Sequence, residues 1–168
     1  MLEAGGMAVL TDGLRTADGD NPNGYYEFER VKDLDKAGGG AWLADARGRA
    51  VKIISLLLTH LPESHDYRVI FMRRDLGEII ASQNVMLDTR QEARGAADDR
   101  TRELYESHLR QVERFLAQRS CFSTQYLDYG EVLAAPREQA SRLNAFLGGG
   151  LAVEPMAAVA EPALYRNR

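Results

Sequence analysis

The sequence predicts an α/β fold of three layers, α/β/α, in which a mostly parallel sheet lies between helices. Tyr67 to Met72 is β-rich and almost wholly apolar, as is typical of a parallel strand covered on both faces, and Phe122 to Leu127 predicts a further strand. Helical periodicity follows each of them, which is the order that parallel crossover connections require. At 168 residues the chain suits one domain with a hydrophobic core, so we predict a single domain over residues 1–168.

The amino-terminal half contains short elements separated by polar loops. Leu2 to Gly6 is typical of the end of a helix, and Met7 to Leu10 of a short strand. A loop rich in Asp, Gly and Asn follows from Thr11 to Asn23. Val51 to Ile54 predicts another buried strand, and Ser55 to Leu61 a short helix that the next residue, a proline, ends.

The carboxyl-terminal half is mainly helical. We expect one helix from Leu76 to Thr89 and a longer one from about Asp99 to Gln118. Asp128 to Ala135 predicts a turn and a short helix, Pro136 to Leu147 an amphipathic helix, and Glu154 to Ala160 a last short one. The apolar face of the longest helix combines residues spaced three and four apart: Leu104, Tyr105, Leu109, Val112, Phe115 and Leu116.

Composition narrows the function classes. The formal charge of -4 argues against nucleic-acid and anionic-membrane partners. Neither a membrane-spanning run nor a signal peptide is visible, so we expect a cytoplasmic protein. The single cysteine, Cys121, excludes an intrachain disulfide and provides no metal cluster, and we expect no metal cofactor.

The segment most informative about function joins the Tyr67 strand to the next helix. Arg74 lies at the carboxyl end of that strand, where open α/β sheets bind ligands, and Ser82 follows about two turns into the helix. A guanidinium and a hydroxyl at this edge suit an anion. The alternative is that Arg73 and Arg74 form surface ion pairs with nearby carboxylates, namely Asp75, Glu78 or Asp45. Since successive strand residues face opposite sides, Arg74 is the better ligand candidate of the two.

Arg74 and Ser82 match in type and spacing the 3'-phosphate-binding segment of sulfotransferases that use 3'-phosphoadenosine 5'-phosphosulfate. The family often has Asn-Pro after the arginine, where this chain has Asp75 and Leu76. The run from Asn21 to Glu27 also resembles a segment of bacterial sulfotransferase-like proteins. The resemblance implies a P-loop NTPase-type fold, the adenylyl sulfate as co-substrate, and sulfuryl transfer to a hydroxyl or amine of a small-molecule or glycan acceptor.

The resemblance also implies a candidate base and raises an alternative to it. Glu27 is a candidate general base for the acceptor, because deprotonating a hydroxyl requires a carboxylate or imidazole within hydrogen-bond reach. Otherwise the Asn21 to Glu27 run is a turn followed by two packing tyrosines. Thr59-His60-Leu61-Pro62 repeats the letters of a catalytic run in cytosolic sulfotransferases, but the corresponding position falls near Ser55. We therefore interpret His60 as a helix-end histidine.

The family begins with a strand and a glycine-rich phosphosulfate loop, and the sequence contains neither that loop nor a GxxxxGK[ST] run. The runs Gly38 to Gly40 and Gly148 to Gly150 predict ordinary loops. We therefore expect an amino-terminally truncated chain that retains mainly the 3'-phosphate half-site and lacks full catalytic competence. The alternative is a non-catalytic nucleotide-binding or structural remnant. Because the missing strand is central in the family, the chain alone is expected to be marginally stable, rearranged or dependent on self-association.

Overall fold

The structure is a computed structural model that describes residues 1–17, 21, 24–81 and 98–161. Three 3-10 helices precede the sheet, at Glu29–Asp33, Ala41–Ala44 and Ser55–His60. The strands are β1 (Tyr67–Arg73) and β2 (Phe122–Asp128). Helix α1 begins at residue 76 and is described as far as residue 81. It is followed by α2 (Asp98–Gln118), α3 (Tyr129–Ala134), α4 (Pro136–Phe146) and α5 (Val153–Ala158).

Strands β1 and β2 pair in parallel, with Tyr67 opposite Phe122 at one end and Arg73 opposite Asp128 at the other. Aromatic side chains on one face hold this register. The rings of Tyr67 and Phe122 stack with centroids 5.1 Å apart, and those of Phe71 and Tyr126 lie 5.6 Å apart. Such cross-strand pairs are the main source of sheet stability beyond the backbone ladder.

The two faces of the sheet belong to separate apolar clusters. Phe71 and Phe122 pack on one face with residues of α2 and of the 3-10 helices, and Trp42 and Leu58 are in the same cluster. On the other face, Leu127 packs with α4 and α5, where Ala140, Leu143 and Met156 are buried. Helices therefore cover both faces of a parallel pair, and the mixed α/β class is confirmed. No described helix combines the length and the apolar character needed to cross a membrane.

Most predicted helices are confirmed, and their ends have local causes. Helix α3 begins after Asp128, whose carboxylate accepts a hydrogen bond from the backbone N–H of Glu131 at 3.1 Å. Helix α4 has Pro136 in its first turn. On α2, Val112 and Leu116 are buried as predicted. Leu104 was predicted to be on the buried face but is 55% exposed, because the buried part of α2 is its carboxyl-terminal half.

The predicted elements of the amino-terminal half are only partly present. Residues 7–10 and 51–54 are not regular strands. They meet in one parallel bridge between Val9 and Ala50, and hydrogen bonds link Ala50 to Ala8 and Leu10 at 2.8 Å. Apolar composition alone does not make a strand, and among the described residues no neighbouring ladder extends this bridge. Leu2 to Gly6 forms a single turn that ends at Gly6, whose φ is +95°.

A tyrosine at the start of β1 gives a prediction about pH. Tyr67 donates a hydrogen bond to the carbonyl of Pro62 at 2.9 Å, and burial raises the pKa of its phenol to about 12. Since the folded pKa exceeds the ordinary value of about 10, this contribution to stability is complete below about pH 10 and is lost as the pH rises toward 12. Near-ultraviolet titration of Tyr67→Phe is expected to lose one late-ionising tyrosine relative to the wild type. A late phase of unchanged amplitude in this variant would contradict the assignment.

Candidate functional site

Arg74 lies at the corner where the carboxyl end of β1 meets the start of α1. It follows the last residue of the strand directly, as predicted. The next residue, Asp75, caps the helix: its side chain accepts a hydrogen bond from the N–H of Glu78 at 3.1 Å, and its carbonyl accepts one from Ile79 at 3.1 Å. Asp75 thus has a local role as the N-cap that starts α1.

The guanidinium of Arg74 is oriented by an acid and an aromatic ring. Its Nε donates to Oε2 of Glu78 at 2.9 Å, and the two side chains are only 27% and 18% exposed. Its central carbon lies 5.2 Å from the ring centroid of Tyr129, the first residue after β2. The corner therefore includes the carboxyl ends of both strands. Ser82, the predicted partner of Arg74, lies outside the described residues.

Arg73 serves a different purpose from its neighbour. Its Nη2 donates to Glu113 of α2 at 2.6 Å, and its central carbon lies 4.1 Å from the ring centroid of Tyr126. Both contacts are on the α2 side of the sheet, so Arg73 ties the end of β1 to that helix. The prediction that the two arginines do not share one task agrees with these contacts. The predicted alternative of surface ion pairs is matched for Arg74, which pairs with Glu78, whereas the partner of Arg73 is Glu113 and not one of the three predicted carboxylates.

A second arginine reaches the corner from α2. A Cβ added to Gly77 would lie 3.3 Å from Nη2 of Arg102, which places that guanidinium beside the first turn of α1. Among the described residues, no carboxylate forms an ion pair with Arg102. Arg102 is not on the apolar face that the sequence predicts for this helix, and nothing in the spacing of α2 indicates its position. Only the tertiary packing of α2 against α1 brings it there.

Glu27 lies in a cluster of its own. Its Oε1 is 3.3 Å from Nη1 of Arg15 and 3.8 Å from Nζ of Lys52, and its carbonyl accepts a hydrogen bond from Thr11 at 2.9 Å. These contacts make Glu27 the anion that fastens the loop after residue 10 to the segment that follows Ala50. The described contacts place it in a different cluster from Arg74.

The residues before Glu27 form a constrained turn. Gly24 donates to the carbonyl of Asn21 at 3.1 Å, and the residues between them, where the turn was predicted, lie outside the described residues. Tyr26 has a φ of +51°, in the left-handed region that tyrosine rarely adopts, and its hydroxyl donates to Glu3 at 2.6 Å. This hydrogen bond to a carboxylate, assisted by partial burial, raises the pKa of Tyr26. Tyr26 is 42% exposed, so it packs only in part.

The structure places the imidazole of His108 beside Ser55, near which the sequence predicts no histidine. His60 is exposed at the end of a 3-10 helix, in agreement with its interpretation as a helix-end histidine. Ser55, the first residue of that helix, lies with its Oγ 2.8 Å from Nε2 of His108 on α2. The pair is partly buried. A separation of 53 residues in the chain explains why no sequence motif could reveal it.

Comparisons with protein-family models, with curated proteins and with solved structures found no match. Within residues 1–17, 21, 24–81 and 98–161, no group of three or more histidine, cysteine or acidic side chains is placed to hold a metal ion. At the corner, the guanidinium groups of Arg74 and Arg102 lie beside the start of α1. This chemistry suits an anion.

Proposed function

We propose that Arg74 and Ser82 form the 3'-phosphate half-site of a sulfotransferase-type protein with a three-layer, P-loop NTPase-like fold. The co-substrate would be 3'-phosphoadenosine 5'-phosphosulfate, and the acceptor a hydroxyl or amine of a small molecule or glycan. The observation that carries the proposal is the position of Arg74, directly after a parallel strand and directly before the N-cap of α1. Ligands of open α/β sheets bind at this edge.

The local geometry supports phosphate recognition by Arg74. A guanidinium has five N–H donors in a planar fork, which matches two phosphate oxygens at once. Glu78 engages Nε at 2.9 Å and so fixes the plane of the fork. Arg102, beside the first turn of α1, adds positive charge that favours an anion there. An incoming phosphate must compete with the carboxylate of Glu78 for the guanidinium of Arg74.

Two groups are candidates for the base. In sulfuryl transfer the acceptor atom forms a bond to sulfur, the bond from sulfur to the bridging oxygen breaks, and the acceptor proton passes to a base. Glu27 would have to leave its ion pairs with Arg15 and Lys52 to accept it. His108 is the second candidate, because it lies beside Ser55, near which the family resemblance places the catalytic histidine. In the sulfotransferase family, the phosphosulfate loop stabilises the negative charge that develops on the bridging oxygen.

The alternative function is a non-catalytic nucleotide-binding or structural remnant of the same fold. The ion pairs favour it, because Arg74 and Glu27 both have partners of opposite charge. In a structural remnant, the Arg74 and Glu78 pair would only stabilise the start of α1. The two proposals differ in what Arg74 does when a phosphate is offered.

The test is calorimetry with adenosine 3',5'-bisphosphate. We expect the wild-type chain to bind this nucleotide, and Arg74→Ala to weaken binding at least about thirty-fold, or about 2 kcal/mol, because a charge-assisted phosphate contact is lost. Ser82→Ala should also weaken binding. Glu78→Gln should strengthen it several-fold, since the competing negative charge is removed while the side-chain volume is kept.

Arg119→Ala is the matched control. Arg119 is also ion-paired, to Glu63 at 2.6 Å, but it lies just before β2, at the opposite end of the sheet. The Arg119→Ala variant should bind the nucleotide with the affinity of the wild type. No binding by the wild-type chain would favour the structural remnant. Equal weakening in Arg74→Ala and Arg119→Ala would show that net charge, rather than a site, attracts the nucleotide.

A further inference from the structure

Ser55 and His108 place a hydroxyl beside an imidazole. The Oγ of Ser55 lies 2.8 Å from Nε2 of His108, and the pair is partly buried. In covalent catalysis, a nucleophilic hydroxyl and the base that activates it lie about 2.6 to 3.2 Å apart. The two side chains therefore have the separation that activation of a serine requires.

Packing on both sides holds this pair in place. Ser55 begins a 3-10 helix, in which residues three apart share a face, and Leu58, one turn later, is buried. On α2, His108 lies one turn before Val112, which is also buried, on the same face of the helix. Leu58 and Val112 belong to one apolar cluster. The hydroxyl and the imidazole thus lie on two elements that the core fixes, as a preorganised site needs.

The residues on either side of Ser55 expose apolar side chains. Ile54 is 58% exposed and Leu56 is 63% exposed. An apolar group that lies against them removes hydrophobic surface from water, which favours its binding. The surroundings of the Ser55 hydroxyl therefore suit an uncharged substrate with an apolar chain.

We propose that Ser55 is a nucleophile activated by His108, and that it accepts the acyl group of an uncharged carboxylic ester. The Oγ forms a bond to the carbonyl carbon of the ester, and the hydroxyl proton passes to Nε2 of His108. Nε2 must accept that proton, so the neutral imidazole carries its own proton on Nδ1. The bond from the carbonyl carbon to the leaving oxygen then breaks, and the leaving oxygen takes the proton from Nε2.

Water releases the acyl group by the same steps in the opposite sense. The water oxygen forms a bond to the acyl carbon, and a water proton passes to Nε2 of His108. The bond from the acyl carbon to Oγ of Ser55 breaks, and Oγ takes that proton. The products are a carboxylic acid and the restored serine.

This acyl transfer is separate from the proposed sulfuryl transfer. His108 is a candidate base for both, but here the proton that it accepts belongs to Ser55, and neither the nucleotide nor Arg74 takes part. An assay without nucleotide therefore tests the acyl transfer alone, whatever the outcome of calorimetry with the bisphosphate.

The probe is p-nitrophenyl butyrate, an uncharged ester with a coloured leaving group. The wild-type chain is expected to release p-nitrophenolate and to form a butyryl ester, which peptide mass spectrometry of a quenched reaction should locate on Ser55. Ser55→Ala should lose this label. His108→Gln should slow acylation about 100-fold or more, because general-base catalysis contributes about 10²- to 10⁴-fold. The butyrate should react several-fold faster than the acetate, and Leu56→Ser should reduce this preference.

Two variants are matched controls. His60→Gln removes an exposed imidazole of the same 3-10 helix, a group that can itself attack an activated ester. Ser141→Ala removes a serine hydroxyl that donates to the backbone carbonyl of Arg137 at 2.9 Å. Both variants should acylate at the wild-type rate. Far-ultraviolet circular dichroism checks that every variant is folded.

Three results would overturn the proposal. The first is a butyryl group found only on residues other than Ser55 in the wild-type chain, a measurement that needs no variant. The second is a wild-type chain that gains no label and releases p-nitrophenolate no faster than Ser55→Ala does. The third is equal acylation rates for the wild type and His108→Gln. In that case the pair would only tie the 3-10 helix to α2.

Discussion

Replacing Trp42 by alanine is expected to lower the free energy of unfolding by about 3 to 5 kcal/mol. Trp42 is 1% exposed, its ring meets Phe28 edge-on at 5.2 Å, and it belongs to the apolar cluster that also contains Leu58 and Phe71. Removing it leaves a large cavity between the 3-10 helices and the sheet. Because small domains have a net stability of about 5 to 15 kcal/mol, this one change removes a large share of it.

The indole N–H of Trp42 itself lowers the stability of the folded chain. Its Nε1 is buried, and the described residues provide no hydrogen-bond partner for it. A buried donor without a partner costs about 1 to 3 kcal/mol, which phenylalanine at the same position would avoid. Trp42→Phe should therefore destabilise the chain much less than Trp42→Ala.

Urea unfolding followed by far-ultraviolet circular dichroism measures both variants, since Trp42 is the single tryptophan and its fluorescence is lost on substitution. Leu14→Ala is the control, because Leu14 is 74% exposed and should change stability little. A loss below about 1 kcal/mol for Trp42→Ala would show that this cluster does not hold the amino-terminal half to the sheet.

Sequence reasoning succeeded where burial and periodicity coincide. Tyr67 to Met72 and Phe122 to Leu127 carry apolar residues on both faces, and both became strands of one parallel pair. The longest helix was placed within one residue of its observed start. Val51 to Ile54 has a similar composition but finds no ladder partner in the part of the chain that the structure describes, and it is not a regular strand. A strand forms only beside another strand that pairs with its backbone, and the composition of a segment does not indicate whether such a partner exists.

The candidate site was predictable only in its local part. A strand-end arginine followed by a helix is visible in the sequence, and Arg74 lies there. Its pairing with Glu78 was among the predicted alternatives, since four residues separate the two on the same turn. The approach of Arg102 to Gly77 and the contact of Ser55 with His108 join distant segments. Both depend on how α2 packs, and no local pattern encodes them.

Replacing Gly39 by alanine is expected to destabilise the chain by about 3 kcal/mol or more, placing it among the severe single substitutions. A Cβ at this position would overlap the carbonyl oxygen of Asp33, a clash with backbone that no side-chain rotation relieves. Asp33 ends the first 3-10 helix, and Trp42 lies in the next one. The loop between them must open to admit even one methyl group.

Gly38→Ala is the control that distinguishes the steric clash at Gly39 from the cost of placing alanine at a positive φ. Gly38 has a φ of +74° and open space around its Cβ position, so alanine there should cost only about 1 to 2 kcal/mol, the penalty for a left-handed residue. Urea unfolding should therefore rank Gly39→Ala as clearly less stable than Gly38→Ala. Equal losses would mean that the loop opens easily. In that case the close approach to Asp33 would not be what holds the two 3-10 helices together.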